Sequence, residues 1–294
     1  MDIVQIFNGL GNQMSQYAFY LAKKKCDPTT KCLYFADKHI NQHNGFELER
    51  VFGIKDIEKC NSVYGKILTP RLYSNSRKGK KRQIIDGVLN FFDIVLLYEN
   101  MCYDYDPRML ENSDHRIAYF NGGWHSYKYF ISIREQLLDV YSFDRNALNE
   151  KTKTLVEKLS AENSVSIHVR RGDFCKCEAF CGVCTPEYYE KSIEYIRKHV
   201  DNPQFYVFSD DFEWVRENMN EDCFHIIDWN SGADSWQDMF LMSQCKHNIN
   251  ANSTFSWWGA WLNRNDSKIV VVPEKFFNYG ETKDVYPESW IKIQ

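Results

Sequence analysis

Three short stretches hold residue types that suit the handling of a diphosphate. In "VSIHVRRGDF" an apolar alternation runs into Arg170, Arg171, Gly172 and Asp173. Arginine forks take phosphate oxygens bidentately. At the end of a strand, such a pair can neutralise the charge on a departing diphosphate. In "INANSTFSWWGAWL" a strand gives way to the polar run Asn252-Ser253-Thr254 and then to an aromatic helix. The N–H groups of a helix start, with the Ser253 and Thr254 hydroxyls, form an anion site. N-capping by either residue is compatible with that role. "FSDD" ends another strand, and Asp210 there is either an acceptor for a guanine or ribose donor or a helix cap.

Other stretches are weaker. "FNGLGNQ" is Gly-rich but lacks the dinucleotide and P-loop spacings. Asp104 and Asp106 form a D-x-D pair, which in some transferases holds a divalent metal against a nucleotide. Cys175, Cys177, Cys181 and Cys184 could supply thiolates, but their spacing matches no standard knuckle. Arg77 to Arg82 form a basic loop, suited to solvent or to an anionic membrane surface. Trp257, Trp258 and Trp261 read as core in preference to a sugar platform. A non-catalytic glycan-binding module would need them exposed on one face.

These residues need rigid supports. From 163 to 273 strands alternate with helices: "VSIHV", "PEYYEKSIEYIRKHV", "QFYVFSDD", "FEWVRENM", "CFHIID", "DSWQDMFLMSQC", "HNINA", "TFSWWGAWLNR" and "KIVVVP". That order predicts βαβ units and a parallel sheet, with ligands at the carboxyl ends of the strands. The chain opens in the same way, with "DIVQIF", the glycine turn and "MSQYAFYLAKKK". The stretch "GVLNFFDIVLLYEN" reads as strand or helix. The economical expectation is two Rossmann-like α/β domains with parallel sheets facing across a cleft, residues 1–155 and 156–294.

Bulk numbers narrow the function. At 44% apolar and 26% charged, the 294-residue chain is core-forming. A net charge of -4 gives no support for nucleic-acid binding. The N-terminus lacks the basic and apolar regions of a signal peptide, and no run is long enough to span a bilayer. The expectation is a cytoplasmic protein with reduced cysteines.

The blocks "GLGNQMSQYAFYLA", "HVRRGDF", "GVCTPEYYEKSI", "FSDD" and "ANSTFSWWGAWL", in that order, resemble the bacterial α-1,2-fucosyltransferases of glycosyltransferase family 11. The resemblance spans nearly the whole chain. It departs at "YFNGGWHSYKYF", where the family more often has Gln-Ser-Glu, and at "CKCEAFC". It implies a GT-B-like fold, GDP-β-L-fucose as donor, and inverting transfer to O2 of a terminal galactose-type residue of a glycan that is lipid-linked in some pathways. It implies no metal and no other cofactor. The resemblance puts Arg170 on the β-phosphate, with Arg171 beside it, and His168 and Asp210 on guanine or ribose. Asn252, Ser253, Thr254 and Phe255 would form the phosphate block. Asn12 and Gln13 would line the cleft from the N-terminal side. Asp173 is the candidate general base, with Glu178 and His125 as further candidates. Alternatively, Gly172 turns Asp173 back onto an arginine as its orienter. The rival reading is a metal-dependent sugar-nucleotide transferase using Asp104 and Asp106.

Overall fold

A computed structural model describes residues 1–35, 44–60 and 87–294; the basic stretch Arg77 to Arg82 lies outside them. The chain divides into two compact units, Met1–Ser142 and Phe143–Gln294.

The first unit is built on β1 (Asp2–Ile6), β2 (Lys31–Phe35), β3 (Glu58–Cys60), β4 (Ile94–Tyr98) and β5 (Ile117–Asn121), in the order β3-β2-β1-β5-β4. Every pairing is parallel. All five residues of β1 are buried, because a parallel sheet is covered on both faces. Asp2 is among them, and the fully buried Lys23 of helix Leu10–Cys26 meets its carboxylate at 2.8 Å. The ambiguous "GVLNFFDIVLLYEN" contains the edge strand β4.

The second unit holds β6 (Ser164–Val169), β7 (Gln204–Ser209), β8 (Phe224–Ile227), β9 (His247–Ile249), β10 (Val270–Pro273) and β11 (Ile291–Ile293). The order is β11-β10-β9-β6-β7-β8, again all parallel. Read from the other edge and renumbered within the unit, this is 3-2-1-4-5-6, the doubly wound arrangement. Strand order reverses between β6 and β9, so the crevice for a ligand opens at their carboxyl ends. The last strand, β11, was not anticipated from sequence.

Local signals explain the helices. Thr185 accepts from the Tyr188 N–H, Pro186 takes the first helical position, and Arg197, Lys198 and His199 fill the last turn of helix Pro186–His199. Its buried Tyr188, Tyr189, Ile193 and Ile196 pack on Val165, Ile167 and Val169 of β6. The alternation of a strand therefore sends His168 to the opposite face.

The boundary falls at 142/143, earlier than the expected 155/156. Contacts with helix Trp236–Gln244 and the turn before it explain the difference. Asn149 caps helix Glu150–Ala161, its N–H donates to Gln237 Oε1 (2.9 Å), and its amide donates to Asn230 Oδ1 (2.7 Å). The Phe143 ring stacks on Trp236 at 5.8 Å. Trp257, Trp258 and Trp261 are at most 4% exposed. They form core, which removes the exposed platform that a glycan-binding module would need.

Candidate active site

Register brings the three sequence blocks together. In the β6–β7 ladder Val169 pairs with Ser209, so Arg170 and Asp210 leave the sheet side by side. In the β6–β9 ladder Ile167 pairs with Ile249, so His168 lies level with Asn250 at the switch point. The His168 and Phe255 rings are 5.8 Å apart, linking the first block to the helix Thr254–Leu262. From behind, the adjacent tyrosines of helix Pro186–His199 hold both strand ends. Tyr188 Oη donates to Asn250 O (2.6 Å) and Tyr189 Oη donates to His168 O (3.1 Å). Nothing in the sequence marked this pair beyond their helical register.

Arg170 stands between two carboxylates, 2.8 Å from Asp173 and 3.2 Å from Asp210. Arg171 is held differently. Its Nε donates to Asp211 at 3.0 Å, and its guanidinium lies 4.6 Å from the centre of the Trp214 ring. The two acidic residues of "FSDD" do different things. Asp211 is the helix cap, accepting from Trp214 N. Asp210 turns to the arginine loop and accepts from the N–H groups of Arg171 (2.9 Å) and Gly172 (3.2 Å). Asp173 follows the alternative reading in this geometry: its carboxylate is Arg170's partner.

His168 is 7% exposed. Burial, with a smaller push from Arg170, drives its imidazole down to about 3, so the ring is neutral near pH 7. Its Nδ1 and the Nδ2 of Asn250 are buried without a hydrogen-bond partner among the described residues. Buried polar groups are ordinarily paired, so this pair at the switch point is suited to a polar ligand.

The phosphate block is partly committed to itself. Ser253 accepts from Phe255 N (3.3 Å) as the helix cap. Thr254 is half-buried at the first helical position. Asn252, 1% exposed, donates to Phe276 O and accepts from Cys184 Sγ at 3.3 Å. It therefore orients the loop and does not reach outward. Burial pushes the Cys184 thiol up to about 12, so it is no thiolate. Cys175, Cys177 and Cys181 are free thiols as well. Among the described residues no group of three or more His, Cys, Asp or Glu is placed to hold a metal. Asp106 of the D-x-D pair caps the turn Pro107–Leu110, and the Arg108 guanidinium grips its carboxylate at 2.7 to 3.2 Å.

In the first unit, Gln13 does not line a surface. It is fully buried, donating to Asn8 O (2.6 Å) and Gly45 O (2.7 Å) and accepting from Glu47 N (2.9 Å). Its neighbour Asn12 is half-buried. Gln16, which sequence reasoning missed, accepts from Phe7 N and donates to Gly122 O, tying the ends of β1 and β5. Glu99 was also missed. It accepts from Trp124 N (2.7 Å) and His125 N (3.1 Å), yet burial raises its carboxyl to about 8. His125 is buried and pushed down to about 3, which makes it a weak base. Glu178 is exposed.

Two all-parallel α/β units, the second doubly wound with an arginine pair and a capped helix start at its switch point, fit a nucleotide-sugar transferase of the GT-B class. The family model "Glycosyl transferase family 11" matches residues 3–294, and the chain belongs to that family. It is 31% identical to an Escherichia coli "Alpha-1,2-colitosyltransferase", over 99% of this chain and 98% of that protein. It is also 31% identical to the E. coli "O-antigen biosynthesis glycosyltransferase WbnK", over 97% and 98%. With the "Galactoside alpha-(1,2)-fucosyltransferase 1" of Leontopithecus chrysomelas it shares 29% identity, over 57% of this chain and 50% of that one. Among solved structures, NodZ α-1,6-fucosyltransferase co-crystallised with GDP aligns over 88% of this chain and 90% of its own, at a TM-score of 0.50 and 14% identity. POFUT1 in its apo form aligns over 92% and 97%, at 0.50 and 12%. These two likenesses speak to fold alone. No helix among the described residues is long and apolar enough to cross a membrane.

Proposed function

We propose that this chain transfers L-fucose from GDP-β-L-fucose, with inversion and without a metal, to O2 of a terminal galactose-type residue of a glycan. The observation that carries the reading is that the arginine loop and the Ser253 helix start follow the carboxyl ends of the neighbouring strands β6 and β9, at the switch point of a family 11 chain. Fucose departs through an oxocarbenium-like transition state while negative charge builds on the β-phosphate. Arg170 and the N–H groups after Ser253 are oriented before that charge develops. One such donor is worth about 3 kcal/mol of barrier, or ~100-fold in rate. Asp173, whose side chain is half-exposed, is the partner that Arg170 exchanges for the diphosphate. Once released, Asp173 is the carboxylate proposed to take the acceptor proton. Neutral His168 and Asn250 supply polar contacts to the nucleoside. The N-terminal unit is assigned to the acceptor. A lipid-linked acceptor would bring Arg77 to Arg82 to an anionic membrane, an association that sedimentation with anionic vesicles measures.

A second donor is favoured by one observation: the relative matched over 99% of this chain is named for transfer of colitose. The test is a transfer assay with GDP-fucose and lactose, with and without EDTA, on wild type and Arg170→Ala, with the product linkage read by NMR. The expected result is EDTA-insensitive α-1,2 transfer that falls ~100-fold or more in the variant. Loss of activity in EDTA would replace the arginine mechanism with a metal-based one. Turnover of a GDP-dideoxy sugar in place of GDP-fucose would move the donor assignment.

A further inference from the structure

The "FSDD" turn does more than end a strand. Asp210 collects three donors from three consecutive residues. Its Oδ1 accepts from Arg171 N (2.9 Å) and Gly172 N (3.2 Å), and its Oδ2 meets Arg170 Nη1 (3.2 Å). The loop is fitted to this carboxylate. A Cβ on Gly172 would stand 2.9 Å from Asp210 Oδ2, inside any normal contact. The neighbouring Asp211 is occupied elsewhere, capping helix Phe212–Asn218 and holding Arg171.

Arg170's two carboxylate partners therefore differ in kind. Asp173 makes a side-chain pair and caps nothing with its side chain. A diphosphate oxygen can take its place at the guanidinium. Asp210 cannot move without releasing two backbone N–H groups along with the guanidinium, whereas Asp173 releases the guanidinium alone. It stays when the ligand arrives.

We propose that Asp210 is a positioning residue for the transfer reaction, holding the Arg170 guanidinium and the 171–172 backbone in the orientation that the departing diphosphate requires. The inference rests on Arg170 as the group that stabilises the leaving diphosphate. It differs from a direct contact of Asp210 with guanine or ribose, and the two separate in kinetics. A positioning carboxylate acts on the transition state, so its loss lowers kcat. A nucleoside contact acts on ground-state binding, so its loss weakens GDP.

The experiment measures kcat, acceptor KM and GDP Kd in Arg170→Ala, Asp210→Ala, Asp210→Asn, Gly172→Ala and the double variant Arg170→Ala/Asp210→Ala. Asparagine keeps an oxygen for the two N–H groups and turns an amide NH2 toward Arg170, so it removes the ion pair while leaving the backbone clasp. The expected pattern is a kcat loss of roughly tenfold to a hundredfold for Asp210→Ala, a smaller loss for Asp210→Asn, and an unchanged acceptor KM. GDP Kd for Asp210→Asn should be equal to wild type or tighter, because a negative charge beside the diphosphate is gone. The double variant should lose little beyond Arg170→Ala, because both act through one guanidinium. Gly172→Ala, which displaces the same carboxylate from the other side, should lower kcat and carries the test should Asp210→Ala fail to fold. A kcat within threefold of wild type in Asp210→Asn and Gly172→Ala, with Arg170→Ala impaired, overturns the inference alone. So does weakened GDP binding at unchanged kcat, or full additivity in the double variant. An Arg170→Ala enzyme of normal activity removes the mechanism proposed above and this inference with it.

Discussion

His168 shows how a residue in the site charges its cost to the fold. A ring with an ordinary pKa near 6.5 in the unfolded chain is held at about 3 in the folded one. Between those values the unfolded state binds the extra proton, so stability falls as pH falls. The slope for one such group is about 1.4 kcal/mol per pH unit. Urea unfolding of wild type and His168→Gln from pH 6 to pH 4 should show the wild type losing that much more per unit. His125 is depressed and Glu99 is raised, but both are present in each protein and cancel in the difference. A pH-independent difference would mean that the folded ring already takes the proton. The residue types of this site were legible in the sequence: two arginines, Ser253 and the acidic pair. Which carboxylate serves which arginine was not, because Asp210 and Asp211 are adjacent and chemically identical. Only the ladder register separates them.

Elements hold these side chains through close packing of a few helices. Helix Thr254–Leu262 lies against helix Trp236–Gln244 at Gly259, where an added Cβ would come 2.8 Å from Met242 Cβ. That atom is fixed to its own backbone and cannot swing aside. Gly259→Ala gains about 1 kcal/mol of helix propensity and incurs an overpacking cost of roughly 1–3 kcal/mol. We expect a net loss of about 1 kcal/mol in urea unfolding, with weaker GDP binding because the Ser253 helix start shifts with its helix. A variant as stable and as tight as wild type would show that the helices part without moving that start. Alternation in the sequence predicted these helices because apolar spacing and capping residues are local. It missed β11, a three-residue strand whose pairing partner lies some twenty residues earlier.

At the scale of the whole chain, the proposed donor contacts fall in Phe143–Gln294, apart from the half-buried Asn12. Hydrogen exchange with and without GDP tests this placement. Protection should rise at the amides that follow β6, β7 and β9, around residues 168–173, 209–211 and 250–256. Protection confined to residues 7–16 would place the nucleotide on the other unit. The sequence by itself determined the family, the α/β class, the parallel sheets and the motifs that end their strands, because strand and helix periodicity, caps and motif order are written in neighbouring residues. Only the tertiary structure decided the rest. Gln13 became a buried brace, Asn252 an internal anchor, Asp210 a clasp on the arginine loop, and the unit boundary moved to residue 143. Each of those outcomes depends on partners dozens of residues away, and a side chain's role follows from which backbone groups the fold leaves within its reach.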